Sequence, residues 1–537
     1  MESPHSERAC TGCVVMSNQS WQLVTACLLI FSCHAPVRGA LGPQDTPRAA
    51  MSRHVDELLA QRWAESGVQP AATSEDAEFM RRVYLDLAGT LPTAAQVRDF
   101  LNDESPAKRQ RLIEMLLANP IHAAHLANNW RSFLLPGDVE MQQQVNIAGF
   151  EQWLRGKFLD NVRYDNVVAD LLVATGAGDD VGPALFFTAL ELKPESLAAN
   201  TSRIFLGVQI ECAQCHDHPF DHWTQQDFWG YAAFFARVQQ GQGRRRLGLR
   251  VVDARSGEIT LPDTDQVVQP KYLNAGFAPQ REDSRRRQLA IWLVSRDNPF
   301  FAKATVNRVW SQLFGRGIVE PVDDMSGRNP PSHPELLEEL AAYFVQSGYD
   351  LREVYRVLAN TEAYQLSSRV SEEADEAAPE LFSRMAIKTL TADQLYDSLL
   401  KATRSRQSLG MVQPGLPVGA DPQREAFRTM FRSPNPGGPE FEAGIPQALT
   451  LMNGTQVAVA TDLQQGGMLT ALTAPFLTDE ECVEAMFLST LSRFPRAAER
   501  DMFVDYVSRG GAGEDRQQAL SDVFWALLNC AEFALNH

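Results

Sequence analysis

From Val55 onward, helix start and stop signals follow one another at short intervals. This punctuation restricts the chain to short helices that must bury their apolar faces against one another. Ser74 stands ahead of acidic residues that suit a helix N-terminus, and Gly89 is placed to end that helix. Phe79, Met80, Val83, Tyr84 and Leu87 recur at helical spacing, which predicts one apolar face. Thr93 reads as the next N-cap, Ser105 as another with Pro106 in its first turn, and Asn119-Pro120 as a stop. Helical patterns continue through "AHLANNWRSFLL", "FEQWLRGKFLD", "YDNVVADLLVAT" and "PESLAANTSRIFLGVQI". "TQQDFWGYAAFFARV" follows, with Phe228, Tyr231, Phe234 and Phe235 expected in the core.

The pattern changes over residues 239–283, where "LRVVD" and "EITLP", separated by "ARSG", suggest a β-hairpin. Helices resume at "RRRQLAIWLVS", with breaks at "GRNPPSHPE", at "SEEADEAAPE" and across the Gly/Pro-rich stretch 410–444. The expectation is a mainly α protein: two helical modules, 50–238 and 284–537, joined by a small β-hairpin-containing insertion at 239–283. At 537 residues the chain can support more than one core.

A net charge of −18 argues against a nucleic-acid surface, which needs concentrated Lys and Arg. The clusters Arg244-Arg245-Arg246 and Arg285-Arg286-Arg287 read as solvated faces. Near the N-terminus, "WQLVTACLLIFSCHA" is apolar and free of charge, too short to span a bilayer and suited to a secretory signal within residues 1–40. Met16 makes a more usual start than Met1. Ile30-Phe31-Ser32-Cys33 loosely resembles a lipoprotein cleavage box, with Phe31 fitting poorly, and this makes Cys33 a candidate for a lipid anchor. No other stretch is long and apolar enough to cross a membrane. The expected compartment is the periplasm or cell envelope, or outside the cell.

Residues 210–223, "IECAQCHDHPFDHW", hold the motif that carries chemistry. Cys212, Cys215 and His216 spell C-x-x-C-H, the pattern that attaches haem c through two thioethers while the histidine ligates iron. The sixth ligand would come from His218, His222, His333 or a methionine such as Met325. Two other readings stay open. Cys212 and Cys215 with His216, His218 or His222 could bind zinc, or the cysteines could form a structural disulfide or remain inert thiols. Cys482 and Cys530 lie in apolar helical stretches and read as buried thiols rather than a disulfide. Hydrolase chemistry lacks its signatures, since neither G-x-S-x-G nor H-E-x-x-H is present. Asp323, Asp324 and the "SHPE" loop read as caps and a solvated turn, and "TVNRVW" as packing around a buried salt bridge.

Two halves of the chain resemble known modules. "FMRRVYLDLAGTLPTAAQVRDFL" (79–101), Trp130 and "RIFLGVQIECAQCHDHPFDHWTQQDFWGYAAFFARV" (203–238) resemble a module of secreted planctomycete proteins named for its association with cytochrome c. "LAIWLVSRDNPFFAKATVNRVWSQLFGRGIVEPVDDM" (289–325), "PPSHPELLEELAAYFVQSGYDLREVYRVLANTEAYQLSS" (330–368) and "ALLNCAEFALNH" (526–537) resemble its usual C-terminal companion. Many relatives carry a separate cytochrome c domain ahead of these modules; here Cys212, Cys215 and His216 alone carry the haem expectation. The leading expectation is electron transfer in the cell envelope, with a redox partner or envelope component as its counterpart. The competing one is a non-enzymatic binding or scaffold protein whose Cys/His cluster is a structural disulfide or metal site.

Overall fold

Capping chemistry sets many of the helix boundaries. Thr93 accepts from the Gln96 backbone N–H while the Gln96 side chain returns to Thr93, and the same reciprocal box recurs at Thr224/Asp227, Thr391/Gln394 and Thr478/Glu481. The protein is described by a computed structural model over residues 47–136, 144–176, 182–241, 250–279, 284–369, 378–404, 421–431, 454–463 and 466–537. The expected signal segment at 1–40, Met16, Cys33 and Arg244-Arg245-Arg246 lie outside these residues.

The first module runs through α1 (Pro47–Ser66), α2 (Asp76–Ala88), α3 (Ala94–Leu101), α4 (Lys108–Ala118), α5 (Pro120–Leu134) and α6 (Gln144–Leu159). It continues with α7 (Tyr164–Val173), α8 (Leu185–Ala189), α9 (Pro194–Leu206) and α10 (Gln225–Ala232). The second begins with α11 (Arg285–Leu293), α12 (Phe301–Phe314), α13 (Pro334–Gln346), α14 (Leu351–Ala359), α15 (Ala392–Ala402) and α16 (Pro422–Met430). Further helices, among them Asp479–Thr490 and Arg516–Leu528, complete it. The fold is mainly α, as its punctuation implies. No helix among the described residues is long and apolar enough to cross a membrane.

Three two-stranded antiparallel sheets are present among the described residues. β1 (Val238–Gln240) pairs with β2 (Val251–Asp253), and β3 (Ile259–Thr260) pairs with β4 (Val267–Val268). The insertion therefore contains hairpin pairing, but "LRVVD" and "EITLP" do not pair with each other. The tight turn lies at Pro262-Asp263, where Asp263 adopts a positive φ of 59°, and it folds Ile259-Thr260 onto Val267-Val268. β5 (Lys388–Thr389) pairs with β6 (Leu535–Asn536), fastening the C-terminal residues to the middle of the second module.

The hydrophobic cores do not divide at the insertion. One cluster joins apolar residues of α1–α10 to those of α11–α14, reaching Phe382 and Met385. A second gathers α15, α16 and the C-terminal helices, together with Leu85 and Leu91 of the first module. Helix α2 contributes Phe79, Val83 and Leu87 to the first cluster and Leu85 to the second, so it is buried on every side rather than on one face.

That burial takes in charged residues, and each has found a partner. The Arg81 guanidinium donates to the carbonyls of Thr490, Glu532, Phe533 and Leu535, and burial pulls its pKa down to about 10. Arg82 donates to the carbonyls of Tyr364 and Leu366 and to Glu78 at 2.6 Å. Asp86 accepts from Lys388 Nζ at 2.7 Å, Asn536 Nδ2 at 2.7 Å and Tyr364 OH at 2.8 Å. Gly89 ends α2 at φ 68°, and a Cβ there would lie 2.3 Å from His125 Nδ1.

Four expectations need correction. Ser74 is not the cap of α2: residues 73 and 74 are drawn into extended pairing with 365 and 366, which leaves Glu75 in the cap position. Arg286 is not solvated but buried, bonding Asp253 at 2.7 Å and the Ala174 carbonyl at 2.8 Å, while Arg285 pairs with Glu258. Arg308 is buried in "TVNRVW" and forms no ion pair among the described residues; its guanidinium lies over the Phe133 ring, 4.7 Å from the centroid. Asn307 alongside it bonds both backbone groups of Val319. Asp323 belongs to no solvated turn: it is buried, with Arg203 and Gln209 on its carboxylate.

Candidate functional site

The Cys/His cluster begins where α9 stops. Gly207 takes a positive φ of 66° and turns the chain, and residues Glu211–Gln214 form one turn of 3₁₀-helix with Cys215 directly after it. A 3₁₀ turn brings side chains at i and i+3 into register. Cys212 and Cys215 therefore share a face, while Ala213 is buried on the other side. Both thiols are free and exposed.

Hydrogen bonds distinguish the three histidines. His216 is exposed, and its Nδ1 lies 2.7 Å from the Asp217 carbonyl oxygen. A carbonyl only accepts, so Nδ1 carries the proton and Nε2 keeps its lone pair. In the neutral ring this tautomer suits ligation of a metal or haem iron through Nε2. In His218, Nδ1 accepts from the Phe220 backbone N–H at 3.2 Å, which places the proton on Nε2. His222 faces oxygen on both sides, with Nδ1 2.7 Å from Asp221 Oδ1 and Nε2 2.9 Å from Asn274 Oδ1. Partial burial lowers its pKa, but the Asn274 and Asp221 bonds outweigh that and the net direction is upward, toward imidazolium. Of the three, His216 is the one whose hydrogen bond among the described residues leaves Nε2 as the lone-pair nitrogen of the neutral ring.

Sequence reasoning did not anticipate where the frame around this turn comes from. The insertion supplies Asn274 to His222 and Lys271 to Asp227 of α10. The second module supplies residues 323–329. The Met325 N–H donates to the Gly207 carbonyl at 2.8 Å, and its thioether covers Gly207 so closely that a Cβ there would be 3.1 Å from Sδ. Arg328 lays its guanidinium 5.4 Å from the centroid of Phe220, a ring that is 64% exposed. The site thus sits at a junction of the first module, the insertion and the second module.

Other nominated residues are placed elsewhere. His333 is buried against Phe382, with burial drawing its pKa down to about 4. Phe228, Tyr231, Phe234 and Phe235 are core residues, with Phe234 stacked on Tyr272. Cys482 is a buried free thiol that donates to the Leu472 carbonyl, and Cys530 is a half-buried one that donates to Leu527. Among the described residues no three His, Cys, Asp or Glu side chains converge to hold a metal ion.

Fold and site together define a mainly helical, two-module protein with an exposed dithiol and imidazole at the module junction. The family model PSCyt2, Protein of unknown function (DUF1549), matches residues 54–240, and PSD1, Protein of unknown function (DUF1553), matches residues 285–434. The chain belongs to the proteins that carry these two domains in this order. No curated protein and no solved structure matches it.

Proposed function

We propose that the turn from Cys212 to His216 carries a covalently attached haem and that the protein takes part in one-electron transfer in the cell envelope. The supporting observation is the pairing of two free, exposed thiols on one face with a neighbouring imidazole whose Nδ1 is turned to a backbone carbonyl, which leaves Nε2 as the ligating nitrogen of the neutral ring. Cys212 and Cys215 would hold the haem covalently and His216 would ligate its iron. The haem supplies the reversible one-electron couple. The protein's own contribution would be to orient the His216 ring through the Asp217 carbonyl and to hold both thiols on one face of the turn. Because the turn is exposed, haem held there would leave part of its surface open to a partner.

The exposure of His216 and of both thiols favours one second reading: a non-enzymatic envelope scaffold in which the thiols hold no group. An absorption spectrum separates the two. Protein produced with haem-attachment machinery should keep its visible bands after denaturation, and Cys212→Ala with Cys215→Ala should abolish them. A colourless wild-type protein would refute the haem reading and leave the scaffold.

A further inference from the structure

A 3₁₀ turn ends with carbonyls that have no partner inside the turn. Here they are Gln214 and Cys215, and α10 satisfies them. The Gln225 side-chain amide donates to the Gln214 carbonyl at 3.3 Å and to the Cys215 carbonyl at 3.0 Å. Trp229 Nε1 donates to the same Gln214 oxygen at 3.0 Å. The Gln225 backbone N–H donates to the Asp217 carboxylate at 2.8 Å, and Asp217 is the residue whose carbonyl fixes the His216 tautomer. One residue therefore reaches the turn at Gln214, Cys215 and Asp217. Its helix is itself held, since the Thr224/Asp227 box closes its first turn and Lys271 of the insertion bonds Asp227.

We propose that Gln225, assisted by Trp229, is a positioning residue for the dithiol–imidazole site: its bonds hold the 3₁₀ turn that puts the Cys212 and Cys215 thiols on one face. The proposal deepens the reading of this turn as the functional site and rests on it, but not on which group is bound. Without the amide, the Cys215 carbonyl must turn toward water and the Gln214 carbonyl keeps only the Trp229 N–H, which loosens the end of the turn and with it the register of i with i+3. The two thiols would then stay reactive one at a time but cease to act as a pair.

Phenylarsine oxide reads that pairing directly. The two thiols give their protons to the oxide oxygen, which leaves as water, and two As–S bonds form with arsenic unchanged in oxidation state. Full-length protein made without haem-attachment machinery should capture one equivalent that the Cys212→Ala, Cys215→Ala variant does not, a difference that sets aside the second C-x-x-C pair at Cys10 and Cys13. Gln225→Leu should weaken capture about tenfold, the worth of one or two hydrogen bonds, while alkylation of each thiol by iodoacetamide and the thermal midpoint stay at wild-type values. Trp229→Phe, which keeps the ring and loses the N–H, should weaken capture less, and Gln225→Lys, which restores a donor, should recover part of the loss. Wild-type capture by both Gln225→Leu and Trp229→Phe would overturn the proposal. If Gln225→Leu does not fold, Trp229→Phe and Gln225→Lys decide on the same readout. A wild-type protein that holds the arsenical in this Gln225-dependent way but never acquires haem would sink the haem reading alone.

Discussion

Helix α2 and the turn at 212–216 are both rich in groups that water solvates well, and they use them in opposite ways. In α2, Arg81, Arg82 and Asp86 are buried, and each is met by carbonyls or by an opposite charge. In the turn, Cys212, Cys215 and His216 are exposed, and among the described residues neither thiol nor His216 Nε2 has a hydrogen-bond partner. A buried charge without a partner is costly, so complete partnering marks a structural role. Exposed soft donors held in register but left open are what the proposed haem would use.

The contrast gives predictions of decreasing size. Asp86→Ala should have the largest effect, because it leaves the buried Lys388 ammonium without its counter-charge: about 3–5 kcal/mol of unfolding free energy in a urea titration. A loss below about 1 kcal/mol would mean that α2 is not the keystone its burial implies. Gly89→Ala combines a left-handed backbone with a contact 2.3 Å from the His125 ring, and should cost about 2–3 kcal/mol on the same measurement.

Acid should act next. Burial holds His122 at about 3 and His125 and His333 at about 4, below the 6.5 of an unfolded histidine. Above that value both states are neutral at these rings and nothing is lost. As pH falls from about 6.5 toward 4, the unfolded chain takes up protons that the folded one refuses, so stability declines by up to about 1.4 kcal/mol per pH unit for each ring. Denaturation midpoints measured across this window should fall with pH, and replacing His122 should flatten the slope. At the small end, Cys212→Ala with Cys215→Ala should change stability by no more than about 0.5 kcal/mol, since neither side chain is buried.

How much of this could be read from sequence follows from the range of the interactions. The Thr93/Gln96 box and the stop at Gly89 are local, and the chain announces them. The role of α2 is not local. "FMRRVYLDL" looks like a helix with one apolar face, and only the carbonyls of residues 364 and 366 and of 490 to 535 convert its arginines into buried anchors. The site divides in the same way. Cys212, Cys215 and His216 stand together in the sequence and are legible there. Asn274, Asp323 and Arg328 arrive from distant segments with no motif to flag them. The choice of His216 over His218 and His222 rests on which atom each Nδ1 faces, and spacing does not encode that.

The central claim is that the turn is a place for chemistry rather than a support of the fold. Its most direct test is the intact mass of denatured protein produced with haem-attachment machinery, read beside the thermal midpoint. The account predicts a wild-type chain heavier by one haem, and a Cys212→Ala, Cys215→Ala chain without that mass that melts at an unchanged temperature. A wild-type chain of bare polypeptide mass, together with a double variant that unfolds well below it, would contradict the account and assign the two cysteines to the fold.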